Sequence, residues 1–420
     1  MRDRPRYVIV GASLAGATAA AALRSEGFDG QIVLIGAEDR LPYERPPLSK
    51  EYLRGEAEDG SPYLDANGLF DDQAIELRTG AAAISLDTVD RSVTLAGGER
   101  VGYDALLLAT GAEPRRPSIA GADLEGTHHL RTIDDADALR AGLRGRPRVV
   151  VVGGGWIGCE VAASAAHLGA SVTLVELSAA PLIQALGASL GSFYADVHAE
   201  HGIHLRMNRS ISHIEGAGRV ERVVLADGER IDADLVVFGV GVAPRTALAE
   251  AAGLEVGNGI LVDERLQTSV PGVFAAGDVA NALNLRYGHR LRVEHWANAR
   301  DQAAIAARGM LGKPVAFTAV PYFFSDQYDV GMEYRGAAAA EDELVVRGDI
   351  QGKEFIAFWL RGGRLRAAMN VNVWDCGDQI EALLGTTAEV DARRLADPTL
   401  PLDDLLAAEL PAAAPNSPSS

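Results

Sequence analysis

Three stretches of the chain carry residues whose types and spacing could do chemistry. Two are glycine turns, GASLAG at 11–16 and GGGWIG at 153–158. The third is YERPPLSK at 43–50, which holds one of only 3 lysines in a chain with 36 arginines. A glycine turn between a strand and a helix lets backbone N–H groups and the helix N-terminus approach a pyrophosphate. In the first turn Gly11 permits the tight bend and Gly16 permits close packing of helix on strand. Ser13 stands where a middle glycine would be, and its small side chain narrows the approach without blocking it. Glu38 follows 22 residues beyond Gly16 and would accept from ribose hydroxyls. The second turn is a full Gly153-x-Gly155-x-x-Gly158, with Glu176 18 residues beyond Gly158. Two such units, 142 residues apart, predict two bound dinucleotides. A carboxylate at Glu176 binds the 2′,3′-hydroxyls and repels a 2′-phosphate, and Leu177 and Ser178 supply no guanidinium. The second site therefore reads as one for NADH rather than NADPH.

These residues need strands and helices to hold them. YVIV at 7–10 is a short β-branched run leading into the first turn; an alanine-rich helical pattern and a second strand, QIVLIG, follow. RVVVV at 148–152 repeats the arrangement around the second turn. YDALLLATGAEPR, 103–115, predicts a strand that ends in an ATG turn at Thr110 and Gly111, and TSVPGVFAAGDVA, 268–280, predicts one that ends in Gly277 and Asp278. In YERPPLSK the prolines fix φ and remove donors, which makes a stiff wall that presents Lys50. Beyond residue 319 short alternating strands, ELVVRGD, EFIAFWL and RLRAAMNVNVW, predict a small antiparallel sheet.

Composition excludes several classes. A chain of 420 residues with a net charge of −19 is a poor match for nucleic acid. No apolar run reaches the ~18 residues of a membrane span. The N-terminal MRDRPRYVIVG runs from a basic arm into a strand without a signal-type apolar segment, so the expected location is cytoplasmic. Two cysteines, Cys159 and Cys376, leave no CxxC or CxxxxC pair and no cysteine-held iron–sulfur cluster in this chain. Cys159, inside an alanine-rich helical pattern, reads as a small core residue. His128, His129, His198 and His201 have no metal-ligand spacing. The tail PAAAPNSPSS is expected to be disordered.

In this order around two nucleotide turns, the ATG and Gly-Asp strings resemble the two-dinucleotide-domain flavoproteins, and that resemblance implies FAD at the first site. PYERPPLSK, GGGWIGCEVAA, VGVAPRTALAEAAGL, AAGDVA, VEHWANARDQ and PYFFSDQYD together resemble the NADH-dependent ferredoxin reductases of bacterial oxygenase systems over about residues 6–406. The resemblance implies that Gly11, Ser13, Leu14, Ala15, Gly16 and Glu38 hold the adenosine half of FAD. Arg45 and Lys50 would line the flavin, Thr110 and Gly111 close on it, Arg131 contact it, and Gly277 and Asp278 reach the ribityl and pyrophosphate region. Gly155, Ile157, Gly158, Glu160 and Glu176 would hold NADH, covered by Gly241. Trp296 with Tyr322, Phe323 and Phe324 would pack around the ring, although many relatives carry tryptophan at the positions of Tyr322 and Phe324. Lys50 and Glu160 are the catalytic pair it implies.

The expected architecture is α/β: two Rossmann-like dinucleotide-binding domains, for FAD and NAD, plus a C-terminal α+β domain, like the disulfide reductases. Residues 1–113 and 243–318 would form the FAD-binding domain, 114–242 the NAD-binding domain, 319–408 the C-terminal domain and 409–420 the tail. The expected activity passes electrons from NADH through FAD to a [2Fe–2S] ferredoxin that feeds a haem-thiolate monooxygenase or a ring-hydroxylating dioxygenase. The chain would work as a monomer or homodimer. An NADH oxidase or disulfide reductase, or an NADH-sensing flavoprotein like apoptosis-inducing factor, is the rival reading. Such ferredoxins are generally acidic, so docking on an acidic chain calls for a local reversal of sign. Residues 281–313 offer one: Arg286, Arg290, Arg292, Arg300, Arg308 and Lys313 stand against only Glu294 and Asp301, a local +4.

Overall fold

The computed structural model describes residues 4–407 apart from 59, 65–67 and 387–388; the tail expected at 409–420 lies outside the described residues. Two compact units part between Ala319 and Val320.

In the first unit, the β-branched run Arg6–Val10 pairs in parallel with Gln31–Ile35 on one side and Ala105–Leu108 on the other. Ile75–Arg78 and Val273–Ala275 complete a five-stranded sheet at its two edges. ALLL at 105–108 is buried at every position, as a strand covered on both faces of a parallel sheet must be. Helix α1 (Leu14–Ser25) follows the first turn and buries Ala15, Ala17, Ala19, Ala20 and Leu23. Its alanines let it pack closely on another alanine-rich helix of this unit, which buries Ala303, Ala306 and Ala307. One hydrophobic core collects residues between 8 and 109 and between 249 and 317, and skips those between.

The skipped residues build a second five-stranded parallel sheet. Its order is His204–Met207, Ser171–Glu176, Arg148–Val152, Leu235–Phe238 and Thr127–His129. Helix α2 (Trp156–His167) follows the second glycine turn and is buried from Gly158 to Ala165. Ile214, Val220, Val223 and Leu225, in and beside a small antiparallel sheet, pack with Val150, Val152 and Val175 in a core of their own. Where the chain passes from the first sheet to the second and back, the two crossings pair with each other: Ala112–Pro114 runs antiparallel to Val242–Pro244. The alanine-rich helix of the first core, α3 (Trp296–Met310), follows the return.

The second unit is a five-stranded antiparallel sheet in the order Tyr322–Gln327, Val330–Gly336, Arg364–Val371, Glu354–Arg361 and Glu343–Asp349. Ile380, Leu383 and Leu384 from the helix Gly377–Gly385, with Leu395 and Leu405, pack on Ile356, Phe358 and Leu360 of the sheet. The fold is the α/β architecture of two Rossmann-like sheets and a C-terminal α+β unit that the sequence pattern led us to expect.

Candidate functional site

Backbone contact dictates the glycines of the first turn. Gly11 has φ +117°, and a Cβ on it would lie 2.0 Å from the Ala109 carbonyl oxygen. A Cβ on Gly16 would lie 1.8 Å from the Gly11 carbonyl oxygen. Ser13 is the N-cap of α1 in extended conformation; its side chain caps nothing, and no acid stands in the first turn of the helix. The N-terminal N–H donors at Leu14 and Ala15 are therefore left for an anion.

Around this turn the structure gathers residues from distant stretches of the chain. Glu38 accepts from the Tyr43 hydroxyl at 2.5 Å and from Arg45 at 3.1 Å. The Arg45 guanidinium lies 5.2 Å from the centre of the Tyr43 ring and donates to the main-chain carbonyl of Arg131. Arg131 in turn donates to Asp278 at 2.6 Å, while its buried Nε has no partner. Burial pulls the Arg131 guanidinium below its ordinary value, and Asp278 opposes that shift. A Cβ on Gly111 would approach Arg131 at 3.5 Å, and one on Gly277 would meet Ala15 at 3.2 Å, so both strings close on the first turn. The Thr110 hydroxyl donates to the Arg245 carbonyl at 2.9 Å. Trp296 donates from its indole to Glu44 at 3.0 Å, with the Arg300 guanidinium 4.8 Å from its ring.

Two further residues here lie in the string VEHWANARDQ but were not singled out in it. His295 is the N-cap residue of α3 and is half-buried; the loss of solvent around its ring pushes the imidazole down to about 4, with Asp278 opposing. Gln302 is fully buried, accepts from the Gly277 N–H at 2.9 Å, and leaves its Nε2 without a partner. Their seven-residue separation, two helical turns on one face, is the sequence signal that could have found them.

The second turn repeats the logic with one difference. A Cβ on Gly153 would lie 2.5 Å from the Gly239 carbonyl oxygen, and one on Gly158 would lie 1.9 Å from that of Gly153. A Cβ on Gly155 would meet nothing nearer than 4.0 Å. The protein itself does not require glycine at 155, so the space above it is free for a ligand. The two oxygens of Glu176 accept from the N–H groups of Gly154 at 2.6 Å and Ser178 at 2.7 Å, which fixes the carboxylate at the lip of the turn. Ile157, Leu177 and Val240, next in sequence to these turn residues, are exposed apolar side chains. Gly241 has φ +86°, and its carbonyl accepts from the Arg115 N–H at 2.9 Å.

YERPPLSK is no solvated turn. Pro46–Ser49 forms a single 3-10 turn, and Lys50 is 5% exposed. Its ammonium lies 2.9 Å from Glu160 of α2, itself 4% exposed, and 3.2 Å from the Pro46 carbonyl. Burying two charges is costly unless further hydrogen bonds accompany the pair. Here the Ser49 hydroxyl supplies one, donating to the same Glu160 oxygen at 2.5 Å.

Phe324, with Tyr322 and Phe323, is half-buried on the edge strand of the second unit, where Tyr322 donates to Glu333 at 2.8 Å. Both cysteines are free and buried, and burial raises both thiols, Cys159 most strongly. Among the described residues no group of histidine, cysteine and carboxylate could hold a metal, and no helix is long and apolar enough to cross a membrane. The basic segment 281–313 is less free than its composition suggests. Arg308 and Lys313 share Glu26 at 3.6 and 2.6 Å, Arg292 pairs with Glu294, and Arg300 pairs with Asp301. Arg290 donates to the Val262 and Asn281 carbonyls. A cleft of about 600 Å³ lined by Arg54, Arg140, Arg144 and Arg146 contains none of the expected site residues.

Residues 5–303 match the pyridine nucleotide-disulphide oxidoreductase family, and residues 322–406 match the reductase C-terminal family. The chain belongs to the pyridine nucleotide-disulphide oxidoreductases and is an oxidoreductase of that family, whose cofactors are FAD and NAD(H). It has two cysteines and no redox pair, so it is a member without the dithiol. Within the family it is 41% identical over 405 residues to the 5,5'-dehydrodivanillate O-demethylase ferredoxin reductase subunit of Sphingobium sp., covering 96% of this chain and 98% of that one. It is 36% identical to putidaredoxin reductase of Pseudomonas putida, covering 97% and 98%. It also matches the solved covalent putidaredoxin reductase–putidaredoxin complex with a TM-score of 0.93 at 36% identity, covering 97% of this chain and 99% of that one. The residues present fit the two nucleotides: two uncapped helix N-termini, an unfilled Cβ position at Gly155, and orphaned donors on Arg131 and Gln302.

Proposed function

We propose that the chain moves electrons from NADH, held at the second turn, through FAD, held at the first, to a [2Fe–2S] ferredoxin that serves an oxygenase. The observation that carries this reading is the buried Lys50–Glu160 pair at 2.9 Å. It joins the segment that follows the first nucleotide site to the helix that begins at the second. Similarity over nearly the whole length to ferredoxin reductase components supports the acceptor. In this reading 1–113 and 243–318 bind FAD and 114–242 bind NADH, in line with the two sheets and the paired crossings between them.

When bound, FAD supplies the exchange of a hydride for single electrons. The chain supplies position and charge. Leu14 and Ala15 present N–H groups to one pyrophosphate and Glu38 accepts from a ribose, while Arg45, Arg131 and Asp278 brace each other beside it. Gly155, Ile157 and Gly158 receive the second pyrophosphate, and Glu176 its adenosine ribose. Thr110, Gly111, Gly277 and Gly241 are backbone positions that let these segments close in. Lys50 offers positive charge to the ring and Glu160 holds Lys50, while Trp296 shields the apolar edge. Hydride transfer needs no general base. A cytoplasmic location fits a protein that draws on NADH.

The test is reconstitution with FAD and mixing of the NADH-reduced protein with a [2Fe–2S] ferredoxin. Rapid ferredoxin reduction is expected. A reduced protein that transfers to ferricyanide but not to ferredoxins would overturn the assigned acceptor.

A further inference from the structure

Neither Ser49 nor Ser164 has a role in the mechanism above, yet Ser49 meets its charged pair and Ser164 meets Ser49. α2 sets Glu160 and Ser164 four residues apart, on one face of the helix. That face meets the segment 46–50 twice. Glu160 Oε2 accepts from the Lys50 ammonium at 2.9 Å and from the Ser49 hydroxyl at 2.5 Å. One turn further on, the Ser164 hydroxyl donates to the Ser49 main-chain carbonyl at 2.6 Å. The four residues are buried, with Ser49 1% and Ser164 2% exposed.

A single carboxylate oxygen is thus shared between a cation and a neutral donor. In a low-dielectric site each donor draws charge from the other's partner. We infer that Ser49 and Ser164 are positioning residues that set the field Lys50 exerts on the flavin. The Ser49 hydroxyl disperses the charge of Glu160, so Lys50 is less neutralised and retains positive potential toward the ring. Ser164 fixes Ser49 through its carbonyl, and so holds that hydroxyl on Glu160. Because α2 starts at the NADH turn, the same helix that receives the nucleotide also holds this arrangement. The inference rests on the reading that residues 43–50 run along the flavin.

The experiment is an equilibrium redox titration of the FAD-loaded protein in a dye–reductant system, with melting temperature measured alongside. Ser49→Ala removes the donor, Ser49→Cys keeps the volume with a weak donor, and Ser164→Ala frees the carbonyl. Both Ser49 variants are expected to make the flavin harder to reduce. At fixed potential the reduced-to-oxidised ratio should fall by about three- to tenfold, tenfold being about 30 mV for a two-electron couple. Ser164→Ala should shift it the same way by less, and Ser164→Thr should restore it. A wild-type potential in Ser49→Ala or, where that variant loses FAD, in Ser49→Cys overturns the inference. A wild-type potential in Ser49→Cys beside a lowered one in Ser49→Ala overturns it too, since volume rather than hydrogen bonding would then be the cause. No ferredoxin enters the titration, so a wrong acceptor assignment and a wrong role for these serines fail in different experiments.

Discussion

Replacing Glu176 with alanine should change which nicotinamide cofactor the protein prefers, and the structure gives the size of the effect. The wild-type carboxylate is not a loose surface acid. Backbone donors at 2.6 and 2.7 Å hold both its oxygens, so it is already oriented when a ribose arrives. Two hydroxyls donating to an oriented carboxylate are charge-assisted bonds, worth about 1.5–3 kcal/mol to binding. Losing them should cut kcat/KM for NADH by roughly 10- to 150-fold, at 1.4 kcal/mol per factor of ten. The same substitution acts in the opposite direction on NADPH. It removes a negative charge facing the 2′-phosphate and releases two N–H donors, on Gly154 and Ser178, that an anion can use. The ratio of kcat/KM for NADH over NADPH should therefore fall by more than the NADH loss alone. Steady-state reduction of ferricyanide with each cofactor measures it without involving a ferredoxin. A ratio that stays within threefold of wild type would refute the placement of Glu176 on the ribose.

Other expectations follow from the same geometry. Gly155→Ala should fold and bind FAD normally while raising the KM for NADH, because its Cβ enters open space; Gly158→Ala, whose Cβ would lie 1.9 Å from a carbonyl oxygen, should instead lower the melting temperature or prevent folding. Lys50→Met strands a buried carboxylate and should destabilise the first unit by about 3–5 kcal/mol, with Lys50→Met/Glu160→Gln recovering most of the loss; equal melting temperatures for single and double variants would contradict this. His295 is held near 4 by burial in the fold against ~6.5 when unfolded, so the unfolded chain binds the proton first and stability should rise between about pH 4 and 6.5 and be lost on acidification. His295→Gln should flatten that part of a stability–pH curve. Arg308→Glu, at the exposed end of the Glu26 cluster, should raise the KM for ferredoxin by about two- to tenfold at low salt and leave ferricyanide turnover intact; no change at any ionic strength would move the docking face elsewhere.

What could be read in advance was what local sterics enforce. Gly11, Gly16, Gly153 and Gly158 are demanded by carbonyls of the same strand–turn–helix units or of the neighbouring strand, and a turn motif encodes that demand. The buried strands announced themselves as unbroken apolar runs. Ser49 and Ser164 were silent because their meaning lies in partners far along the chain: Ser49 reaches Glu160 across 111 residues and Ser164 across 115. No spacing rule relates a serine in one loop to a helix in another sheet. The basic segment 281–313 shows the converse error. Counting charge along the chain could not reveal that Glu26, almost 300 residues away, takes up two of its cations.

The paired crossings Ala112–Pro114 and Val242–Pro244 have an engineering consequence. The chain departs and comes back through neighbouring strands, whose backbones in an antiparallel pair lie ~5 Å apart. Both cut ends of 115–241 therefore emerge side by side, like the legs of a plug. The segment could be lifted out and its host rejoined by a linker of a few residues, or a cassette with a different nucleotide preference could be inserted at the same two cuts without re-threading the host. The two-strand ribbon is also the natural pivot for any swing of that segment, because every covalent path into it passes through those six residues.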